Sequence, residues 1–104
     1  MSAVKIMCRD NLNGSIATRE VDCTDVGPFA VHQSVSPTPH RWTITHRATG
    51  YAATHCRTKA IATRVARELG RIDCWDFHDV AAVKQIDSNA MARIGSILRR
   101  ATHA

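Results

Sequence analysis

Apolar and polar positions alternate with a period of two over much of the first 56 residues, the signature of half-buried strands. Val4, Ile6 and Cys8 alternate with Lys5, Met7 and Arg9. Asn13-Gly14 then offers a tight hairpin turn, and Ser15 to Val21 reads as the return strand. Asp22 to Pro28 reads as a loop punctuated by Gly27-Pro28. Phe29, Val31, Gln33 and Val35 alternate with Ala30, His32 and Ser34, and Ser36-Pro37-Thr38-Pro39 ends that strand because proline cannot donate to a ladder. From Arg41 to Arg47 the alternation is strict: Trp42, Ile44 and His46 share one face, and Arg41, Thr43, Thr45 and Arg47 the other. Thr49-Gly50 makes the turn to a partner strand, Tyr51 to Cys56.

The period then lengthens to that of a helix. Thr58 is placed to cap it, Ile61, Ala62, Val65, Ala66 and Leu69 form its apolar stripe, and Gly70 marks an expected left-handed C-terminal cap. Beyond it, Asp76 can start a turn near Phe77 and Asp87 or Ser88 a second helix. Met91, Ile94, Leu98 and Ala101 form its stripe, and Arg99, Arg100 and His103 lie near its C-terminus. The pattern predicts an α+β fold. An antiparallel sheet of about four to five strands in the N-terminal two thirds is packed by a helix near 58–69 and by one or two C-terminal helices near 77–102.

With 104 residues, the chain has the length of one domain, read as 1–104. Hydrophobic residues make up 44% but aromatics only 5%, so the core must rest on aliphatic side chains and alanine. No run is long enough to cross a bilayer, and Met1 to Asp10 lacks the apolar stretch of a signal peptide. These features imply a cytoplasmic, reducing setting in which Cys8, Cys23, Cys56 and Cys74 are thiols.

Charge changes the picture more than composition does. The net charge is +5, but residues 1–40 and 72–104 are close to neutral. Residues 41–71 hold Arg41, Arg47, Arg57, Lys59, Arg64, Arg67 and Arg71 against Glu68 alone. Six of these seven bases are arginine, whose planar fork matches phosphate and carboxylate. Arg64, Arg67 and Arg71 are spaced to share the helix face away from the apolar stripe. Such a block is either a solvated face or a surface for an acidic partner.

Candidate chemistry is sparse. His55-Cys56 and Cys74-x3-His78 supply ligands of the kind zinc takes, but adjacent strand residues point to opposite faces, which argues against a shared ion. Cys74 with His78, or Cys56 with a histidine brought by folding, offers a thiolate–imidazole pair without an accompanying oxyanion turn. There is no phosphate-cradling glycine loop. Asp73, Asp76 and Asp79 read as helix-start carboxylates. Catalysis, metal and cofactor are therefore not expected.

The seven bases come from one hairpin-and-helix unit, and its Arg/Thr-rich strand face is one that can reach phosphates. Trp42 and Tyr51 would stack on bases if exposed, although Trp42 shares its face with Ile44 and reads first as core. The run from Arg41 to Leu69 resembles the hairpin-then-helix part of the arm-type DNA-binding domains of phage integrases. Trp42, Thr49-Gly50, Thr58-Lys59 and Ala62 match in type and order. The same helix faintly resembles the second helix of double-stranded RNA-binding domains, without their lysine pair and Gly-x-Gly. As a whole, the short α+β chain without enzyme motifs is similar to phage-encoded accessory proteins, the anti-CRISPR proteins among them. That resemblance implies a non-enzymatic inhibitor in the host cytoplasm that blocks a nuclease complex. The integrase resemblance implies instead a DNA-binding domain using the same arginines. Both readings expect an acidic partner (host protein, ribonucleoprotein or nucleic acid), no membrane, and a monomer or homodimer.

Overall fold

The computed structural model describes residues 2–9, 16–34 and 41–102. The expected Asn13-Gly14 turn, the Ser36–Pro39 break, the Cys8 side chain and His103 lie outside the described residues and side chains. The fold is α+β. Five antiparallel strands, β1 (Ser2–Arg9), β2 (Ile16–Val26), β3 (Phe29–Gln33), β4 (Trp42–His46) and β5 (Ala52–Cys56), each pair with the next in chain order. Helix α1 (Lys59–Gly70), a short 3₁₀ helix (Val80–Gln85) and α2 (Ser88–Thr102) follow.

Strand β2 runs five residues further than its composition predicts. Its first part pairs with β1, from Ser2↔Cys23 to Arg9↔Ile16, and its last part with β3 through Thr24↔Val31, Asp25↔Ala30 and Val26↔Phe29. The expected loop at 22–28 therefore shrinks to Gly27-Pro28, with Gly27 at φ 58°. Polar Asp22 and Asp25 are tolerated because both are exposed.

The two faces of the sheet are covered differently. Phe29, Val31, Ile44 and Cys56 meet Ala62, Val65, Ala66 and Leu69 of α1 and Ile94 and Ile97 of α2 in the main core. On the opposite face Ala30 packs with Val4 and Ile6, flanked by Val21 and Cys23. The sheet thus curls until β1 reaches the β4–β5 turn, where the Met7 N–H donates to the Gly50 carbonyl at 2.8 Å. Gly50 has φ +79°, and a Cβ there would stand 3.0 Å from the Lys5 carbonyl oxygen, so only glycine fits this approach without strain.

Thr58 caps α1, its hydroxyl accepting the Ile61 N–H at 3.1 Å. The C-terminus departs from expectation. Gly70 is the last helical residue with no positive φ, and Arg71 is an ordinary right-handed cap. The helix ends by tightening, with Arg71 N–H to the Glu68 carbonyl and Ile72 N–H to that of Leu69, so the orphan carbonyls need no left-handed residue. The C-terminal part is two helices rather than one. Asp79 caps the 3₁₀ helix through the Ala81 N–H, and Asp87 accepts from the Asn89 N–H at the start of α2. Asp76 starts neither.

Candidate binding surface

All seven bases of the 41–71 segment are exposed. The elements divide them into two groups and one outlier. Trp42 pairs with Cys56, so the flanking Arg41 and Arg57 emerge at the same open end of the β4–β5 hairpin. Lys59 joins them, with its Nζ 5.8 Å from the centroid of the Trp42 ring in a cation–π contact. Trp42 is half-buried against the main core, as its face predicted. Arg47 is the outlier at the other end of the hairpin, its Nε 3.6 Å from an Asp25 carboxylate oxygen.

The second group is Arg64, Arg67 and Arg71 on the outer face of α1, opposite buried Ala62, Val65, Ala66 and Leu69. This group is larger than the local charge pattern implies. Arg71 and Glu68 line a shallow groove of about 320 Å³ whose other wall is Arg93, Ser96, Ile97 and Arg100 of α2. Arg100 Nη2 lies 3.6 Å from Glu68 Oε2, the one acid on this face of α1. Among the described residues, Arg41, Arg57, Lys59, Arg64, Arg67 and Arg71 make no ion pair with an acid. Arg93 and Arg100 were outside the predicted site. They sit at i and i+7 with Ser96 between, bordering buried Ile97, and that spacing is the signal that would have placed them on one face.

The strand face that carries Arg41, Thr43, Thr45 and Arg47 is not the open phosphate-reaching surface that its composition implied. Thr43 and Thr45 are 5% and 1% exposed. The Thr45 hydroxyl is 2.7 Å from His32 Nε2, and His32 Nδ1 is 2.9 Å from the Gln33 carbonyl oxygen. A carbonyl only accepts, so His32 carries a proton on Nδ1, and in the neutral ring Nε2 accepts from Thr45. Thr43 lies 2.8 Å from the Ser34 hydroxyl and 2.9 Å from His55 Nδ1. Both threonine hydroxyls are thus engaged inside the curl of the sheet.

His46, on the helix side, shows the opposite tautomer. Its Nε2–H donates to the Trp75 carbonyl at 2.8 Å, and Nδ1 is 3.0 Å from the Thr49 hydroxyl. It stacks on Phe77 at 4.5 Å, while Phe29 meets Trp75 edge-on at 4.7 Å.

The three described thiols are shifted towards their protonated form. Burial pushes Cys56 up. Burial, then a hydrogen bond to Asp25 and its charge, push Cys23 up against the opposing pull of Arg47. Burial and the Asp73 charge do the same to Cys74 against Arg93. A nucleophilic thiolate needs the reverse shift. Cys56 faces the core and His55 is exposed on the other side of β5, as adjacent strand residues must be. Among the described residues no three His, Cys, Asp or Glu side chains are grouped to hold a metal ion, and no helix is long and apolar enough to cross a membrane.

No family model, curated protein or solved structure matches this chain.

Proposed function

We propose that this chain is a non-enzymatic binding protein of the phage accessory type, an inhibitor that seats its arginine-bearing helical face on an acidic surface of a host nuclease complex. The observation that carries the reading is the convergence of Arg71, at the end of α1, with Arg93 and Arg100 of α2 around one groove that contains a single acid, Glu68, while Arg64 and Arg67 stand exposed on the preceding turns of α1. Arg64, Arg67 and Arg71 make no ion pair among the described residues, which leaves their charge and bidentate geometry available to a partner. The raised pKa values of Cys23, Cys56 and Cys74 disfavour the thiolate form that a nucleophile at these positions would need.

The helical face is preferred over strand insertion into a DNA groove. A β-sheet reader places strand side chains against base edges and phosphates. In β4 the threonines on that face are buried and hydrogen-bonded, and Arg47 is paired with Asp25.

The test is a cleavage assay with purified RNA-guided nuclease complexes from candidate hosts. The native protein is expected to inhibit one of them, and the double variant Arg64→Glu/Arg67→Glu to lose inhibition while folding normally. Absence of inhibition, combined with a salt-sensitive mobility shift on free DNA, would replace this reading with that of a DNA-binding module.

A further inference from the structure

The face of α2 turned from the arginine groove closes a second feature. Between β5, α2 and the connection that follows α1 lies a cavity of about 190 Å³. Leu69, Trp75, Phe77, Ile86, Ile94 and Leu98 are the large apolar side chains of its wall beside Met91. Met91 also lines it and is 42% exposed, the only large apolar side chain so exposed among the described residues. A flexible thioether at the rim of an apolar hollow can adapt to what enters.

Of the polar side chains that line this hollow, those of His46, Thr49 and Trp75 are already engaged, and Tyr51 adds one hydroxyl. His46 uses both ring nitrogens, on the Trp75 carbonyl and the Thr49 hydroxyl. The Trp75 indole N–H donates to the Leu69 carbonyl at 2.7 Å. Among the described residues no buried side-chain nitrogen or oxygen lacks a partner. Water entering the hollow finds too few polar partners to be held, and a charged ligand would be desolvated without compensation.

Volume then selects the occupant. Apolar cavities of about 150 Å³ stay dry and take up benzene, whereas sites for drug-sized molecules start near about 300 Å³. We infer that this cavity binds a small uncharged apolar molecule, of the size of one or two fused aromatic rings or an equivalent hydrocarbon. Ligand contact is with the aromatic edges of Trp75 and Phe77 and the branched chains of α2. The site is independent of the arginine groove, because it uses Met91, Ile94 and Leu98 where the groove uses Arg93, Ser96 and Arg100.

The experiment is thermal unfolding of the full chain with increasing benzene, toluene or indole, with benzoate as the charged control. A ligand that binds only the native state raises the midpoint in a saturable way. We expect a rise of several degrees with at least one neutral ligand and none with benzoate. Val83→Phe and Ala53→Ile, each filling the cavity from a different side, are expected to abolish the rise. Whichever of them folds serves as the test. No saturable rise with any neutral ligand, an equal rise with benzoate, or a full rise in a folded filled variant would overturn the inference.

Discussion

Two buried histidines show how single side chains are fixed from both sides of this sheet. His32 accepts from Thr45 inside the curl, and His46 donates to Trp75 under the helices. Thr45→Val keeps the shape of the side chain but leaves His32 Nε2 without its donor. An unsatisfied buried acceptor costs about 1–3 kcal/mol, so urea unfolding should show a loss in that range with the m-value unchanged. Cys56 makes a second prediction at this scale. It is 1% exposed and burial raises its pKa, so the folded state holds the thiol proton more tightly than the unfolded chain does. Its contribution to stability is therefore fully present below the ordinary thiol pKa of about 8.5 and is lost as pH rises through the higher folded value. Stability measured from pH 7 to 10 should fall along this limb. Cys56→Ala should make the fall shallower, whatever the variant loses in absolute stability by leaving a small void.

The elements depend on one another most visibly where β1 meets the β4–β5 turn. Gly50→Ala places a Cβ 3.0 Å from the Lys5 carbonyl oxygen and 3.1 Å from Met7 Cγ, on a backbone at φ +79°. A non-glycine residue in that region costs of order 1–3 kcal/mol. Hydrogen exchange should report the damage locally, with faster exchange at the Met7 amide and much smaller change in α1. A uniform loss of protection across the chain would mean that β1 does not close as a separate unit.

This junction also marks how far the sequence is legible at the element scale. The faces of β4 follow from a period-two pattern that is purely local. Trp42, Ile44 and His46 do turn to the helices, and Thr58 does cap α1. What covers the other face is non-local. Asp22 and Asp25 look like loop residues because nothing nearby shows that β2 must continue to reach β3, nor that Arg47 will meet Asp25. The same holds for Thr43 and Thr45, whose composition reads as solvent-facing because nothing local shows that His32, Ser34 and His55 will meet their hydroxyls. Gly70 was misplaced for a different reason. A glycine after an apolar stripe fits a left-handed cap, but the bonds from Arg71 and Ile72 end the helix first.

At the scale of the whole molecule, the fold divides the charge block that stands out in the chain and brings bases from elsewhere beside part of it. Arg47 belongs to the block by position, yet it sits at the far end of the hairpin beside Asp25. Arg93 and Arg100 lie in a segment of zero net charge, yet they face Arg71 across the helix groove. If partner binding uses the assembled surface, Arg93→Glu/Arg100→Glu should weaken it by roughly tenfold or more, about 1.4 kcal/mol, as Arg64→Glu/Arg67→Glu should. Most of that loss should appear in the association rate and shrink as salt is added, because surface charges act by steering and are screened beyond about 8–10 Å. Arg47→Ala should leave binding nearly unchanged and alter stability by less than about 1 kcal/mol, since the ion pair it breaks is solvent-exposed. The three variants can be ranked by salt-dependent association rates with whichever partner the native protein is found to bind. If Arg47→Ala were as damaging as the α2 pair, the charge block in sequence, and not the helix groove, would be the contact surface. The partner would then have to reach around the edge of the sheet to touch both ends of the hairpin.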